Sequence, residues 1–248
     1  MTGFRFTTSW DDGHPLDMRM AELLAKYGLP GTFYIPIRNA EGRAVLPSSE
    51  LRALGQKFEI GSHTRDHMYL HKTTSTIMEE QITTGKSMLE DSLGHSVSGF
   101  AYPGGKNNAM VRAAVARAGF EYARTTENFR LDPPSDVYRI STTLQIFPHR
   151  RSTYVRNLIA RGHPSARARV FLRAVAANNI FTLMCETLQL ARETGGVFHI
   201  WGHSWEIDEF GLWQTLEDFL AYASREVVDK ECIPNAGLAG LSHPEFAQ

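Results

Sequence analysis

Strand-like and helical runs alternate along this chain, and that alternation narrows its fold more than any other feature. Phe4 to Thr8 is the first β-prone run, and Asp17 to Tyr27 then spaces Met20, Leu23, Leu24 and Tyr27 as one helical face before Gly28 and Pro30 end it. GTFYIPI (Gly31 to Ile37) reads as a second strand. Ser48 or Ser49 can cap a short helix through Leu54, and FEIGSH (Phe58 to His63) is a third strand with a polar tip. Thr76 with Glu79 forms a capping-box pattern for a helix running to Leu93, with Gly94 as its stop. Ser98 to Tyr102 is a fourth strand. A helix over Asn108 to Ala118 separates it from a fifth at Phe120 to Thr125, and Asp136 to Thr142 reads as a sixth. Helical stretches over about 153–160 and 181–193 precede a last strand, Val197 to Trp201, and Leu212 to Ser224 closes the series. Repeated strand-then-helix units predict parallel strands joined by crossovers, as a barrel or an open doubly wound sheet.

Size and charge fit that reading. The 248 residues suffice for one large core, so residues 1–230 are expected to form a single domain, with a possible helical insertion at about 148–180 and a tail over 231–248. The tail from Ile233, rich in Gly, Ala and Pro, is expected to be loosely ordered. Lys and Arg number 26 against 27 Asp and Glu, a balance that argues against a generic nucleic-acid or anionic-membrane binder. The six arginines at 150, 151, 156, 161, 167 and 169 read as a solvated face, with an anion-binding patch as the other reading. Cys185 and Cys232 are too few for a disulfide framework. The strand-like start leaves no room for a signal sequence, and no apolar run is long enough to span a bilayer. A cytoplasmic location is the expectation.

Polar residues cluster where strands end. Asp11 and Asp12 follow the first, His63 and His67 the third, Pro103 to Gly105 the fourth, and His203 the last. In parallel α/β folds the loops after the carboxyl ends of strands converge on one face, which carries the site. Adjacent carboxylates repel unless a positive partner stands between or beside them. His63 and His67, at i, i+4 in SHTRDH, would reach one metal ion from one face of a helical turn. Two imidazoles and a carboxylate leave coordination positions open, as in catalytic rather than structural sites. Thr64 after the first histidine excludes the H-E-x-x-H peptidase pattern.

TSWDDG, SHTRDH, FAYPGG and HIWGHSWE, in that order, resemble the successive motifs of the polysaccharide deacetylase family, also called carbohydrate esterase family 4 or the NodB-homology domain. The resemblance implies an α/β fold, a distorted (β/α)7 barrel of the NodB type, and a hydrolase that removes acetyl groups from sugars with a bound divalent metal. Zinc is the commonest such metal, with cobalt, manganese and iron compatible with the same ligands. It also implies Asp12, His63 and His67 as metal ligands, Asp11 as general base, and the Gly104 N–H as an oxyanion donor. His203 becomes the general acid, while His199, inside the strand, reads as a buried structural histidine. Tyr102 and Pro103 in the third motif, with Trp201 and Trp205 beside His203, are candidate substrate contacts.

The chain departs from the family pattern in two places. Ala101 stands where many relatives carry an arginine that pairs with the catalytic aspartate, and Arg124, at the end of the fifth strand, is the candidate replacement. The family's fourth motif is not visible, although Glu127, Asp132 and Asp136 fall in its region, so His203 lacks an assigned partner. The substrate is expected to be a carbohydrate or a small molecule. Ring opening of a cyclic ureide, as in allantoinases, is one alternative, and a non-catalytic carbohydrate-binding protein is another. Nothing in the sequence bears on oligomeric state.

Overall fold

The computed structural model describes residues 3–160 and 164–241. In β1 (Arg5–Asp11) successive side chains serve opposite faces. Phe6 and Trp10 join the large apolar cluster beneath the helices, whereas Thr7, Ser9 and Asp11 bond to Asn235, His199 and Arg124 inside the barrel. The period of two thus separates an apolar outer face from a polar lumen.

Six more strands follow: β2 (Thr32–Ile35), β3 (Glu59–Ser62), β4 (Gly99–Ala101), β5 (Tyr122–Arg124), β6 (Leu144–Gln145) and β7 (Val197–Gly202). Their lateral order is β5-β4-β3-β2-β1-β7-β6, and every pairing is parallel. The sheet curls on itself. Ile140 bridges Arg124 at one edge, and shortly afterwards Leu144 pairs with Ile200 of β7. The stretch from Ile140 to Gln145 therefore touches both flanks and closes a distorted (β/α)7 barrel.

Helices α1 (Asp17–Lys26), α2 (Ser48–Gly55), α3 (Ser75–Leu93) and α4 (Ala109–Arg117) link successive strands. Between β6 and β7 come α5 (Arg151–Ala160), α6 (Pro164–Ala176) and α7 (Ile180–Thr194), and after β7 come α8 (Ser204–Glu209), α9 (Trp213–Glu226) and α10 (Asn235–Leu238). Asn108 and Asn179 cap α4 and α7 by accepting from the amides of Val111 (2.9 Å) and Thr182 (2.8 Å).

The sixth strand lies at Leu144–Gln145 rather than over Asp136 to Thr142. Asp136 accepts from the Tyr138 amide at 2.9 Å, and this local bond turns Val137–Arg139 into a 3-10 segment instead of a strand. The cap of α3 is Thr74, which accepts from the Ile77 amide, not Thr76. Within the stretch 148–180, where a helical insertion was expected, lie α5 and α6, of which periodicity had indicated only the first. The arginines there are not all solvated: Arg167 is fully buried, with Nε donating to Asn128 O at 2.8 Å and Nη1 to Leu158 O at 3.1 Å. Arg150, Arg156 and Arg169 are exposed, while Arg161 and the Arg151 side chain lie outside the described residues.

The segment from Ile233 to Leu241 packs against the barrel instead of hanging free, because α10 fills the lumen from below. Asn235 donates to Thr7 Oγ1 at 2.8 Å and accepts from Tyr34 OH at 2.9 Å, and Ala236 and Leu238 pack with Tyr34, Tyr122 and Val197. Residues 242–248 of the expected tail lie outside the described residues.

One helix residue bears on the upper face. A Cβ on Gly85 of α3 would stand 2.8 Å from the Arg65 nitrogen and 2.9 Å from the Thr64 carbonyl carbon, in the loop that carries His63 and His67. Gly85→Ala should therefore destabilise the protein in urea unfolding by about 1 kcal/mol, because overpacking of ~1–3 kcal/mol outweighs a helix-propensity gain of up to ~1 kcal/mol. An unchanged or raised midpoint would contradict that close approach.

Candidate metal centre

Because all strands run one way, the residues after β1, β3 and β7 emerge on one rim. Asp12, Thr64 and His67 all adopt left-handed backbone conformations there, with φ of 78°, 69° and 55°. Residues 63–67 are not a helical turn, as their spacing had suggested, and the two left-handed residues are what swing His63 and His67 together. For β-branched Thr64 this geometry costs about 1–3 kcal/mol, so neighbours must enforce it. Thr64 Oγ1 accepts from the Met68 amide at 3.0 Å, and Asp66 is tied to Gln81 through its amide (3.0 Å) and its carboxylate (2.6 Å). Arg65 and Arg38 grip the same carboxylate and hold it well below the usual range.

Asp12, His63 and His67 each present one ligand atom, and the three lie within 4.8 Å of one another. Asp12 Oδ1 is 3.2 Å from His67 Nε2 and 3.7 Å from His63 Nε2, yet it is buried without a hydrogen-bond partner. Its other oxygen accepts from Trp205 Nε1 at 2.9 Å. His63 Nδ1–H donates to the Ala101 carbonyl at 2.8 Å, which turns the Nε2 lone pair toward Asp12. Burial lowers the His63 pKa to about 4, so the ring is neutral, as a ligand must be. Burial opposes ionisation of Asp12, but contact with His67 and the charges of His203 and His63 hold it well below the usual carboxylate range. An orphaned carboxylate oxygen facing two imidazole nitrogens is a set of donors that fits a divalent cation.

Asp11 points the other way, into the lumen, and pairs there with the fully buried Arg124. Ala101 and Arg124 are register partners on β4 and β5, so the guanidinium enters at the height where an arginine at 101 would have begun. It lies over the rings of Tyr34 (5.0 Å) and Trp201 (5.1 Å).

His203 follows β7, with Nε2 4.0 Å from Asp12 Oδ2, and its Nδ1–H donates to Glu206 at 2.6 Å. Burial disfavours its charge, but the Glu206 bond and the field of Asp12 push its pKa up to about 9. Gln145 donates to the same Glu206 oxygen at 3.2 Å. Sequence reading missed Glu206, although three residues after His203 at the start of a helix is a readable signal. Glu127 and Asp132 instead pair with Arg130, and Asp136 serves its own turn. His199 is structural, bonded to Ser9 (2.8 Å) and Ser141 O (3.1 Å), and burial with the Arg124 charge lowers its pKa to about 3.

Of the other candidates, Trp201 and Trp205 both flank His203, with ring centroids 5.5 and 5.4 Å away. Trp201 is nearly buried and donates to Asn128 at 2.8 Å, while Trp205 is partly open. Gly104 is exposed at φ 58°, and a Cβ there would strike the Tyr69 ring at 2.6 Å, so the Pro103–Gly105 turn requires glycine at this point. Tyr102 does not offer its side chain to the site as expected. Its ring is fully buried and its hydroxyl donates to Tyr138 O at 3.1 Å, the outward parity that β4 dictates. Pro103 is buried too. Glu41, in the loop after β2, stands 3.5 Å from His67 Nδ1 and had no sequence signal.

Removing one member of the Arg124–Asp11 pair leaves a buried charge uncompensated. Arg124→Ala should cost about 3–5 kcal/mol in urea unfolding, and the double replacement Arg124→Met with Asp11→Leu clearly less. Equal losses in both variants would contradict the coupling.

Residues 5–123 match the polysaccharide deacetylase family. The match includes Asp11, Asp12, His63, His67 and Gly104 and stops short of Arg124 and His203. A Bacillus subtilis protein named "Putative polysaccharide deacetylase YxkH" is 23% identical over 123 residues, which are 49% of this chain and 42% of that protein. Among solved structures, a family 4 carbohydrate esterase from Streptomyces lividans in complex with acetate aligns with a TM-score of 0.51 at 15% identity, over 90% of this chain and 91% of its own. Puue allantoinase aligns with a TM-score of 0.66 at 13% identity, over 95% and 88%. At such identities the structural likeness speaks to the fold alone. The ordered motifs, the parallel seven-stranded barrel and the segment matched over residues 5–123 thus agree in likening this chain to the polysaccharide deacetylase family.

Proposed function

We propose that this protein is a metal-dependent hydrolase that removes the acetyl group from an N-acetylated sugar. The observation that carries the reading is Asp12 Oδ1, buried and unpartnered between His63 Nε2 and His67 Nε2, with two further titratable groups poised beside it. Asp12, His63 and His67 would hold a divalent cation, which supplies a lowered water pKa and polarisation of the acyl carbonyl.

The remaining chemistry belongs to the chain. Asp11, held by Arg124, accepts a proton from the attacking water. Gly104 offers a backbone N–H to the oxyanion that develops at the carbonyl oxygen. An amide nitrogen leaves only when protonated, and His203 is on hand to supply that proton from across the site. Glu206 orients its ring by taking the Nδ1 hydrogen, so the proton to be delivered sits on Nε2, the atom that faces Asp12. Trp205 and Trp201 bound the space in which the acetyl methyl or a sugar face would lie. Among the described residues, no helix is long and apolar enough to cross a membrane.

Acetate release from N-acetylated sugars, assayed beside ring opening of a cyclic ureide, tests the reading. Dialysis against a chelator should abolish turnover and zinc should restore it. Asp11→Asn and His203→Gln should each lower kcat by about 100- to 10,000-fold. Asp12→Ala should abolish zinc binding in calorimetry. Turnover indifferent to metal stripping would overturn the mechanism, and ureide opening without acetate release would reassign the substrate.

A further inference from the structure

We propose that Arg43 is a specificity-determining residue that selects substrates carrying an anionic substituent, a phosphate or a carboxylate, next to the acylated nitrogen. The inference deepens the deacetylase reading and rests on it for the position of the acyl group. Three observations carry it.

The first is the stack. The Arg43 guanidinium carbon lies 3.4 Å from the centroid of the Trp205 ring, the spacing of two planar groups face to face. Stacking occupies the faces of a guanidinium and leaves its in-plane N–H donors free, and that fork matches a phosphate or carboxylate. Those donors have no assigned work: among the described residues, no carboxylate forms an ion pair with Arg43 and no acceptor takes a hydrogen bond from it. Glu41, two residues earlier, stands near His67 instead.

The second is location. Trp205 donates through Nε1 to Asp12 Oδ2 at 2.9 Å, so the indole that carries Arg43 has its edge on the metal-site carboxylate. The cation is one aromatic ring away from the place an acyl carbonyl must occupy. On a sugar, substituents on adjoining ring carbons are separated by a comparable step, so an acylated amine over the metal site brings a neighbouring anion toward the fork.

The third is rigidity. The loop bearing Arg43 is tied at both ends to site elements, with Leu46 N donating to Gly13 O at 2.7 Å and Ala40 N to Asp66 O at 3.2 Å, and a turn within it is closed by Gly42 N on Asn39 O at 3.0 Å. Leu46 is buried beside the Asp12 turn. A side chain whose only duty was to cover Trp205 could be any long apolar residue. A charged fork on a fixed loop at the mouth of a site is a recognition element.

The test compares zinc-loaded wild type with Arg43→Met, Arg43→Lys and Arg43→Glu. The substrates are N-acetylglucosamine, its 1-phosphate, and N-acetylmuramic acid as the carboxylate arm. Wild type should favour one anionic sugar over the neutral one in kcat/KM by roughly 10- to 100-fold. That ratio should fall toward unity in Arg43→Met, sit between the two in Arg43→Lys and invert in Arg43→Glu, and added salt should move it toward unity in wild type, Arg43→Lys and Arg43→Glu but not in Arg43→Met. The larger ratio identifies the anion as phosphate or carboxylate. Calorimetric binding of the same sugars to metal-free protein supplies a readout independent of turnover, and unfolding midpoints confirm that each variant is folded. Equal ratios in all four folded proteins would overturn the role of Arg43 and leave deacetylation intact. Absence of hydrolysis with Arg43-dependent binding of the anionic sugar would sink deacetylation and leave the anion site standing.

Discussion

The contact between Arg124 and Asp11 ties the architecture to the chemistry. In the sheet, β5 and β1 are separated by β4, β3 and β2, so a side chain from one can meet a side chain from the other only across a curled sheet. A buried ion pair adds little net stability, but any arrangement that parts its members leaves a charge stranded in a low-dielectric lumen. The pair therefore penalises flattening of the barrel, and it holds Asp11 in one orientation. Below it, Tyr34, His199 and α10 occupy the lumen, and the candidate ligands gather at the rim where the strands finish.

That rim is where the chain departs from relaxed geometry. Three non-glycine residues, Asp12, Thr64 and His67, hold left-handed conformations, and Asp12 Oδ1 and His67 Nδ1 are buried without hydrogen-bond partners. Elsewhere the chain contributes the stability that sustains this, through Asp66 locked by Arg38, Arg65 and Gln81, and through the helix–sheet core. Strain and unsatisfied groups gathered at one spot are expected where a protein is shaped for a ligand rather than for itself. The loop after β2 completes the enclosure, since Arg38 reaches Asp66, Glu41 approaches His67, Arg43 covers Trp205 and Leu46 anchors on Gly13.

How far the sequence was readable depended on the kind of signal. The strand-end positions of Asp11, Asp12, His63, His67 and His203 placed them on one rim, but the opposite directions of Asp11 and Asp12 were not legible, because Asp12 lies beyond β1 in a left-handed turn. The turn at 63–67 was misread because i, i+4 spacing is consistent with a helix and equally with a tight non-helical turn whose residues are left-handed, and only the backbone tells them apart. The sixth strand was misplaced because an Asx bond at Asp136 competes locally with extended structure. Arg167 was taken for a surface charge because a run of arginines says nothing about which member finds buried carbonyls.

The sequence alone determined the alternation of strands and helices, the parallel sense of the sheet and the polar tips that gather at its carboxyl end, because these follow from local periodicity and the steric rules of crossover connections. Tertiary structure alone decided the partnerships: Arg124 with Asp11, Glu206 with His203, Ala101 O with His63, Arg43 with Trp205, and α10 with the barrel floor. Each joins side chains whose distance is set by the curvature of the sheet or the course of a loop. Curvature and loop course arise from the sum of many packing contacts, so no short stretch of residues encodes them.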